Sequence, residues 1–388
     1  MARFNRRNFL KASGLTVLPA LVPFSNAFTG QEKKPQTGAD TPLTNFFSDG
    51  ETWNTTTYIG KLQQINSISP IKPDRYGAGG AVEELEKKFA AITGKEKVVF
   101  MPSGTMANQL AIKVLSGENT KVFVQETSHV FRDEADAAQS VHNKRLIALA
   151  KGEAYFTSEE LQQSVDYHKT GEVFKTGIGA VTIEIPVRRN NGRMMPIEEL
   201  KKISAYCRKN DIKMHLDGAR LFLASAWSGV SIKEYSDYFD TVYISLYKYL
   251  GASAGAVLCG PKAVMDKMDH LMKIYGGSMY GNWTNAAIAS NQLEDYESRL
   301  KNARKRAEEL FALLNGLPEI KVVPINDGTN IYEMQIKGVK PSQFQAAMAN
   351  EGIRIFVPGM IYVNVSILYR DTNTLFNAFK NALKIARA

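Results

Sequence analysis

The chain has 388 residues, 44% of them hydrophobic and 22% charged, which excludes a disordered or fibrous polymer and leaves room for two domains around a large core. The formal charge is +9, but Arg3, Arg6, Arg7 and Lys11 supply four of those charges before residue 28, where no acid offsets them. The remaining excess is spread thinly, with no basic stripe interleaved with aromatics, which argues against nucleic acid as a partner.

Residues 1–27 read as an export signal. Asn5-Arg6-Arg7-Asn8-Phe9-Leu10-Lys11 resembles the twin-arginine motif, an apolar run follows from Leu15 to Phe24, and Ser25-Asn26-Ala27 suits cleavage after Ala27. The run is short for a membrane-spanning helix. Twin-arginine export carries folded proteins, so the expected destination is the periplasm, after any cofactor has been acquired. Residues 28–43, polar and punctuated by Gly30, Pro35, Gly38 and Pro42, read as a linker.

From residue 44 the pattern becomes regular. Arg75 to Gly80 is a glycine-rich turn, and Ala81 to Ile92 has Val82, Leu85, Phe89 and Ile92 at helical spacing. Short apolar runs at 98–100, 121–124, 180–185, 213–216, 241–244 and 256–259 predict strands, with helices over 105–115 and 196–210. This alternation implies an α/β fold, a mostly parallel sheet covered by helices on both faces. After residue 285 the pattern changes. A long charged helix is expected over 285–314, then β-like runs at 320–323, 331–336, 353–356 and 361–368, and a closing helix over 374–387. The expected organisation is therefore a large domain, 44–284, and a smaller C-terminal α+β domain, 285–388. Cys207 and Cys259 sit in apolar surroundings and read as buried free thiols; no metal site is expected.

Three short segments carry chemistry, and ligands in such sheets bind beyond strand C-termini. Ser103-Gly104-Thr105 joins a strand to a helix. The unpaired N–H groups and small side chains of that turn suit a phosphate, although plain helix capping explains the same residues. Asp217 ends a buried strand and needs a partner: the protonated ring nitrogen of a cofactor, Arg220, or a helix cap. Lys248 lies 31 residues later, beyond the strand at 241–244, where a desolvated amine is a nucleophile and a base, or else a lysine reaching for water. His129 follows the strand at 121–124 and is open to a stacking, proton-transfer or purely structural role. Arg220 suits a carboxylate in a forked geometry. His215, mid-strand near Asp217, reads as a supporting residue, and no role is assigned to His142, His168 or His270.

Taken in order, these stretches resemble the threonine aldolase and β-eliminating lyase group of pyridoxal-phosphate enzymes with the aspartate-aminotransferase fold. The matching residues are Phe47-Ser48-Asp49, Arg75-Tyr76-Gly77, the run from Ser103 to Gln109, Ser128-His129, Asp217-Gly218-Ala219-Arg220, Ser245 to Gly251, and Gly276-Gly277-Ser278-Met279. The resemblance implies a seven-stranded sheet and pyridoxal 5'-phosphate as cofactor. Lys248 would carry the cofactor as a Schiff base, Asp217 would hold the pyridine nitrogen, His129 would stack on the ring, and Ser103, Gly104 and Thr105 would bind phosphate. Ser48 and Arg220 would hold the substrate carboxylate. The same resemblance implies a homodimer or homotetramer, with Tyr76 and the Gly276-Gly277 loop near a neighbouring subunit's site.

The chain departs from that pattern in three places. Asn364 stands where an arginine for the substrate carboxylate is expected, with Arg370 and Arg354 as candidate replacements. Glu184-Ile185-Pro186-Val187 stands for a Glu-Asn-Thr-His stretch, and Tyr280 for an arginine. Cofactor binding is thus expected to be kept and substrate recognition altered. The favoured activity is cleavage of a β-hydroxy-α-amino acid to glycine and an aldehyde. A β-eliminating lyase uses the same residues, and transamination, or an exported protein that binds an amino acid or cofactor without turning it over, are further readings.

Overall fold

The computed structural model describes residues 43–51 and 53–387. The export motif, its apolar run and the linker up to residue 42 lie outside the described residues. A seven-stranded sheet runs in the order β2-β8-β7-β6-β5-β3-β4. Its strands are β2 (Lys97–Met101), β3 (Lys121–Gln125), β4 (Arg145–Leu149), β5 (Ile178–Glu184), β6 (Lys213–Asp217), β7 (Thr241–Ser245) and β8 (Ala256–Gly260). β4, β3, β5, β6 and β7 pair in parallel, while β8 runs antiparallel to both β7 and β2. β8 is therefore the one reversed strand of this sheet, and the other six end at the same edge.

Strand alternation divides the core. Val98, Phe100, Phe123, Val181, Ile183, Val242, Ile244 and Val257 enter one apolar cluster. Their neighbours Val99, Met101, Tyr243 and Leu258 enter a second, and Val122, Val124 and Ala180 a third, on the opposite face. Helices α1 (Thr55–Ile68), α2 (Gly80–Thr93), α3 (Gly104–Ser116), α4 (His129–Arg132), α5 (Ile197–Lys209), α6 (Leu221–Ser228) and α7 (Trp283–Leu293) surround this sheet. Both cysteines are buried and free.

The C-terminal part has its own core. Helix α8 (Tyr296–Leu314) gives Leu300 to the first core and Ala303, Ala307, Leu310 and Leu314 to the second. Around the second core lie the antiparallel strands β9 (Ile320–Pro324), β10 (Ile331–Ile336) and β12 (Gly359–Tyr362), and helix α9 (Thr372–Arg387). The two-residue strands β1 (Thr44–Asn45) and β11 (Ile353–Arg354) pair in parallel beside it.

Three expectations change. The segment 285–314 is two helices, because Asp295 leaves the helical region (φ −124°, ψ 9°) and its carboxylate pairs with Arg299 at 2.8 Å. The run 361–368 is strand only to Tyr362, since the Asn364 side chain caps a 3-10 turn over Val365–Tyr369 by accepting from the Ser366 N–H. The run 353–356 pairs over Ile353–Arg354 alone, because its partner β1 is itself two residues long. β4, not expected from the sequence, extends the edge of the large sheet.

Candidate active site

Because six strands end at one edge, the predicted residues converge there from distant parts of the chain. Asp217 is the last residue of β6 and only 1% exposed. Its Oδ2 accepts from Asn108 Nδ2 at 2.9 Å and its Oδ1 from the Ala219 N–H at 3.1 Å. Lys248 lies three residues beyond β7, half-buried, with its Nζ 5.9 Å from the centre of the Tyr247 ring. It forms no ion pair among the described residues. Burial, reinforced by the charge of Arg220, pushes its amine down to about 8.

Ser103 ends the link from β2 to α3. Its hydroxyl accepts from the Met106 N–H at 3.2 Å and caps the helix, which leaves the Gly104 and Thr105 N–H groups without described partners. The helix-cap reading is therefore realised, and the turn remains open to an anion. Gly104 is dictated by contact: a Cβ there would lie 2.1 Å from the Tyr243 hydroxyl. A Cβ on Gly277 would lie 2.2 Å from Met106 Sδ, so the glycine loop packs on the first turn of α3, and Gly276 has φ +74°. Gly104→Ala is expected to destabilise the fold by about 1–3 kcal/mol and to weaken cofactor binding; thermal unfolding and equilibrium dialysis would measure the two effects.

His129 opens α4. Its backbone N–H donates to Glu184 Oε2 at 2.7 Å, and its Nδ1 is 3.0 Å from Glu134 Oε1. Glu184, at the end of β5, also accepts from the Arg188 N–H, but burial and the Asp217 charge push its carboxyl up to about 7. Arg220 does not pair with Asp217. Its Nε donates to Asp49 Oδ2 at 2.7 Å, which brings the Ser48-Asp49 segment against the site and leaves the terminal guanidinium nitrogens without described partners. Ser48 donates to the Gly50 carbonyl and accepts from Asn45 Nδ2. Tyr76 lies further out, half-exposed, with its ring edge-on to Tyr280 at 5.3 Å.

The position of the expected arginine has a different use. Asn364 is buried, and its Nδ2 donates to the carbonyls of Asn45 (2.7 Å) and Ser48 (2.8 Å). It ties down the segment carrying Ser48 and Asp49, a positioning role. Arg370 reaches the Gly352 carbonyl and Arg354 lies exposed over the Phe47 ring, and among the described residues neither is hydrogen-bonded or ion-paired to Ser48 or Asp49. Val187, where the family pattern has histidine, is fully buried.

Two residues to which the sequence reading gave no role complete the cluster. Glu134 is 5% exposed and lies with His129 and Asp217 in a group whose ligand atoms fall within 4.8 Å of one another. Asn108, buried in α3, touches both carboxylates. Asn108 stands four residues, about one helical turn, after Gly104, a spacing that could have marked it as facing the same site. Glu134 gave no such signal within Asp133-Glu134-Ala135-Asp136.

These residues fit pyridoxal phosphate. A helix start with two N–H groups left open suits its phosphate, a neutralisable amine its aldehyde, and a buried carboxylate its pyridinium nitrogen. A sequence profile of the beta-eliminating lyase family matches residues 55–337. A low-specificity L-threonine aldolase of Candida albicans is 34% identical over 58% of this chain and 60% of its own. The chain thus spans about three fifths of that relative's length. A low-specificity L-threonine aldolase of Saccharomyces cerevisiae is 30% identical over 74% of this chain and 73% of its own. A solved structure from Exiguobacterium sp. 255-15, provisionally described as an aromatic amino acid beta-eliminating lyase/threonine aldolase, superposes with a TM-score of 0.73 at 26% identity, covering 89% of this chain and 98% of that one. With the strand-end cluster and a profile match over most of its length, the chain belongs to the beta-eliminating lyase family.

Proposed function

We propose that this protein is a pyridoxal-phosphate-dependent lyase that cleaves the Cα–Cβ bond of a β-hydroxy-α-amino acid, giving glycine and an aldehyde. The observation that carries the reading is the placement of a desolvated lysine amine, Lys248, and a buried carboxylate, Asp217, beyond adjacent parallel strands, with the cap of α3 at the same edge. The names of the Candida and Saccharomyces relatives support the aldolase form of the reaction.

When bound, the cofactor supplies an electrophilic aldehyde carbon and a ring that takes up the electron pair released at the α-carbon. Lys248 supplies the attacking amine and afterwards a site to hold or return a proton. Asp217 would hold the ring nitrogen protonated, with its own orientation fixed by Asn108 and the Ala219 N–H. The free edge of Arg220 receives the substrate carboxylate, while Asp49 fixes the guanidinium from the other side. An amine at about 8 is roughly one-tenth neutral at pH 7. Below that value the proton occupies the lone pair, so the rate at which cofactor-free protein captures pyridoxal phosphate should rise with pH through about 8 and then level off. An ordinary lysine would keep the rate climbing to beyond pH 10; stopped-flow absorbance separates the two.

The deciding experiment is an absorption spectrum of the purified protein with glycine, L-threonine, L-allo-threonine and other amino acids. A band that shifts with one β-hydroxy amino acid while aldehyde is released supports the proposal. A keto acid and ammonia would replace it with β-elimination. The half-exposed Tyr76, Met279, Tyr280 and Trp283 further support a homodimer or homotetramer, which light scattering on the eluting protein tests; a monomer would reject it. Export by the twin-arginine route to the periplasm is proposed from Arg6-Arg7, and would be lost when both become lysine.

A further inference from the structure

The buried polar atoms behind the site form a chain with one direction. His215 is fully buried, and its Nδ1 lies 2.8 Å from Thr241 Oγ1 and its Nε2 2.9 Å from Asn108 Oδ1. An amide oxygen only accepts, so the His215 Nε2 carries the proton and the Thr241 hydroxyl donates to Nδ1. Asn108 is left with two amide hydrogens, and both are used: one reaches Glu134 Oε1 at 2.8 Å, the other Asp217 Oδ2 at 2.9 Å. A single neutral amide thus bridges two carboxylates. Glu134 Oε1 also receives His129 Nδ1 at 3.0 Å. A carboxylate oxygen that already accepts from an amide accepts from the imidazole too, so Nδ1 is the protonated nitrogen of His129. With both nitrogens of His215 engaged, His129 Nε2 is left as the imidazole nitrogen of this cluster with no described partner.

We propose that Glu134 is a positioning residue that fixes the proton on His129 Nδ1 and the plane of the imidazole, and that it is held in register with Asp217 through Asn108. Second carboxylates that orient a working imidazole act in this way in other sites. The inference rests on the cofactor-dependent lyase reading only for what His129 then does; the dyad itself is a property of this chain. The charged groups facing His129 are Glu134 and Asp133 from its own loop, Asp217 from β6, Lys248 from beyond β7, and Glu184 at its backbone. Burial opposes a charged imidazole, but Glu134 and Asp217 outweigh burial and Lys248, so His129 should titrate above the ordinary histidine range.

The test is nitrogen-15 NMR of the full-length, cofactor-loaded protein labelled at histidine, with five imidazoles to assign and His129→Asn to identify one. In the parent protein the His129 Nδ1 should remain protonated across the titration. Glu134→Gln keeps the shape and an accepting oxygen but removes the charge. It should lower the His129 midpoint by about one pH unit, tenfold in proton affinity. Glu134→Asp should restore part of that shift. Glu134→Gln should also move the pH midpoint of the cofactor's visible band, while changing cofactor affinity far less than Asp217→Asn does. An unchanged His129 midpoint and Nδ1 signal in Glu134→Gln would overturn the proposal, as would an Nε2-protonated ring in the parent. These signals do not depend on which amino acid is turned over, so an error in the aldolase assignment and an error in the dyad give different results.

Discussion

Lys248→Ala is expected to lower turnover by about 10³-fold or more while leaving the fold intact. The size follows from the two functions proposed for this amine, attack on the cofactor and the holding of a transferable proton, which would both be lost. The retained fold follows from its surroundings. Lys248 has no ion pair among the described residues, and removing a desolvated cation relieves a cost. Thermal unfolding should therefore stay within a few degrees of the parent, while the visible band of the covalently held cofactor disappears. Assaying glycine and aldehyde release beside the unfolding curve gives both numbers. Unaltered turnover in this variant would remove the covalent, proton-holding role proposed for Lys248.

Asp217→Asn should be damaging in both respects. The carboxylate accepts from Asn108 and from the Ala219 N–H, one bond at each oxygen. An asparagine amide offers one oxygen and one NH2, so either orientation sets a donor against a donor in a site that is 1% exposed. The expected loss is about 1–3 kcal/mol of stability. Turnover should fall by about 10²–10³-fold, because no charge then keeps the ring nitrogen protonated. Cofactor dialysis and kcat/KM measure one effect, and chemical denaturation the other. The contrast with Lys248→Ala is the diagnostic: one variant keeps its stability, the other loses it.

What could be read from the sequence was governed by periodicity. Lys248 and Asp217 stood out because each is a charged residue directly following an apolar run, and strands β2, β3 and β5 to β8 were visible for the same reason. Helix α1 gave no signal: none of its residues is buried, so it has no apolar stripe. Helix α6 was hidden for the opposite reason, being apolar nearly all round. The reversal of β8 has no local signature, since strand direction is set by connections. The break at Asp295 lacks glycine or proline, so nothing in the local sequence marks it. Glu134 was illegible because the groups that gather around it, Asn108 and Asp217, come from a helix and a strand remote in the chain. Asn364 was noted for the arginine it lacks, whereas its work is to hold two backbone carbonyls.

Those two carbonyls set an order of events during synthesis. The Ser48 carbonyl and the Asn364 amide are 316 positions apart, and β1 finds its partner in β11. The segment bearing Ser48 and Asp49 is among the first parts of the described chain to be made, yet its carbonyl partner Asn364 and its strand partner β11 are absent until residues 353–366 have followed. A late part of the chain thus completes the seating of an early one, and the side of the cleft carrying Ser48 should mature after the half formed by the start of α3.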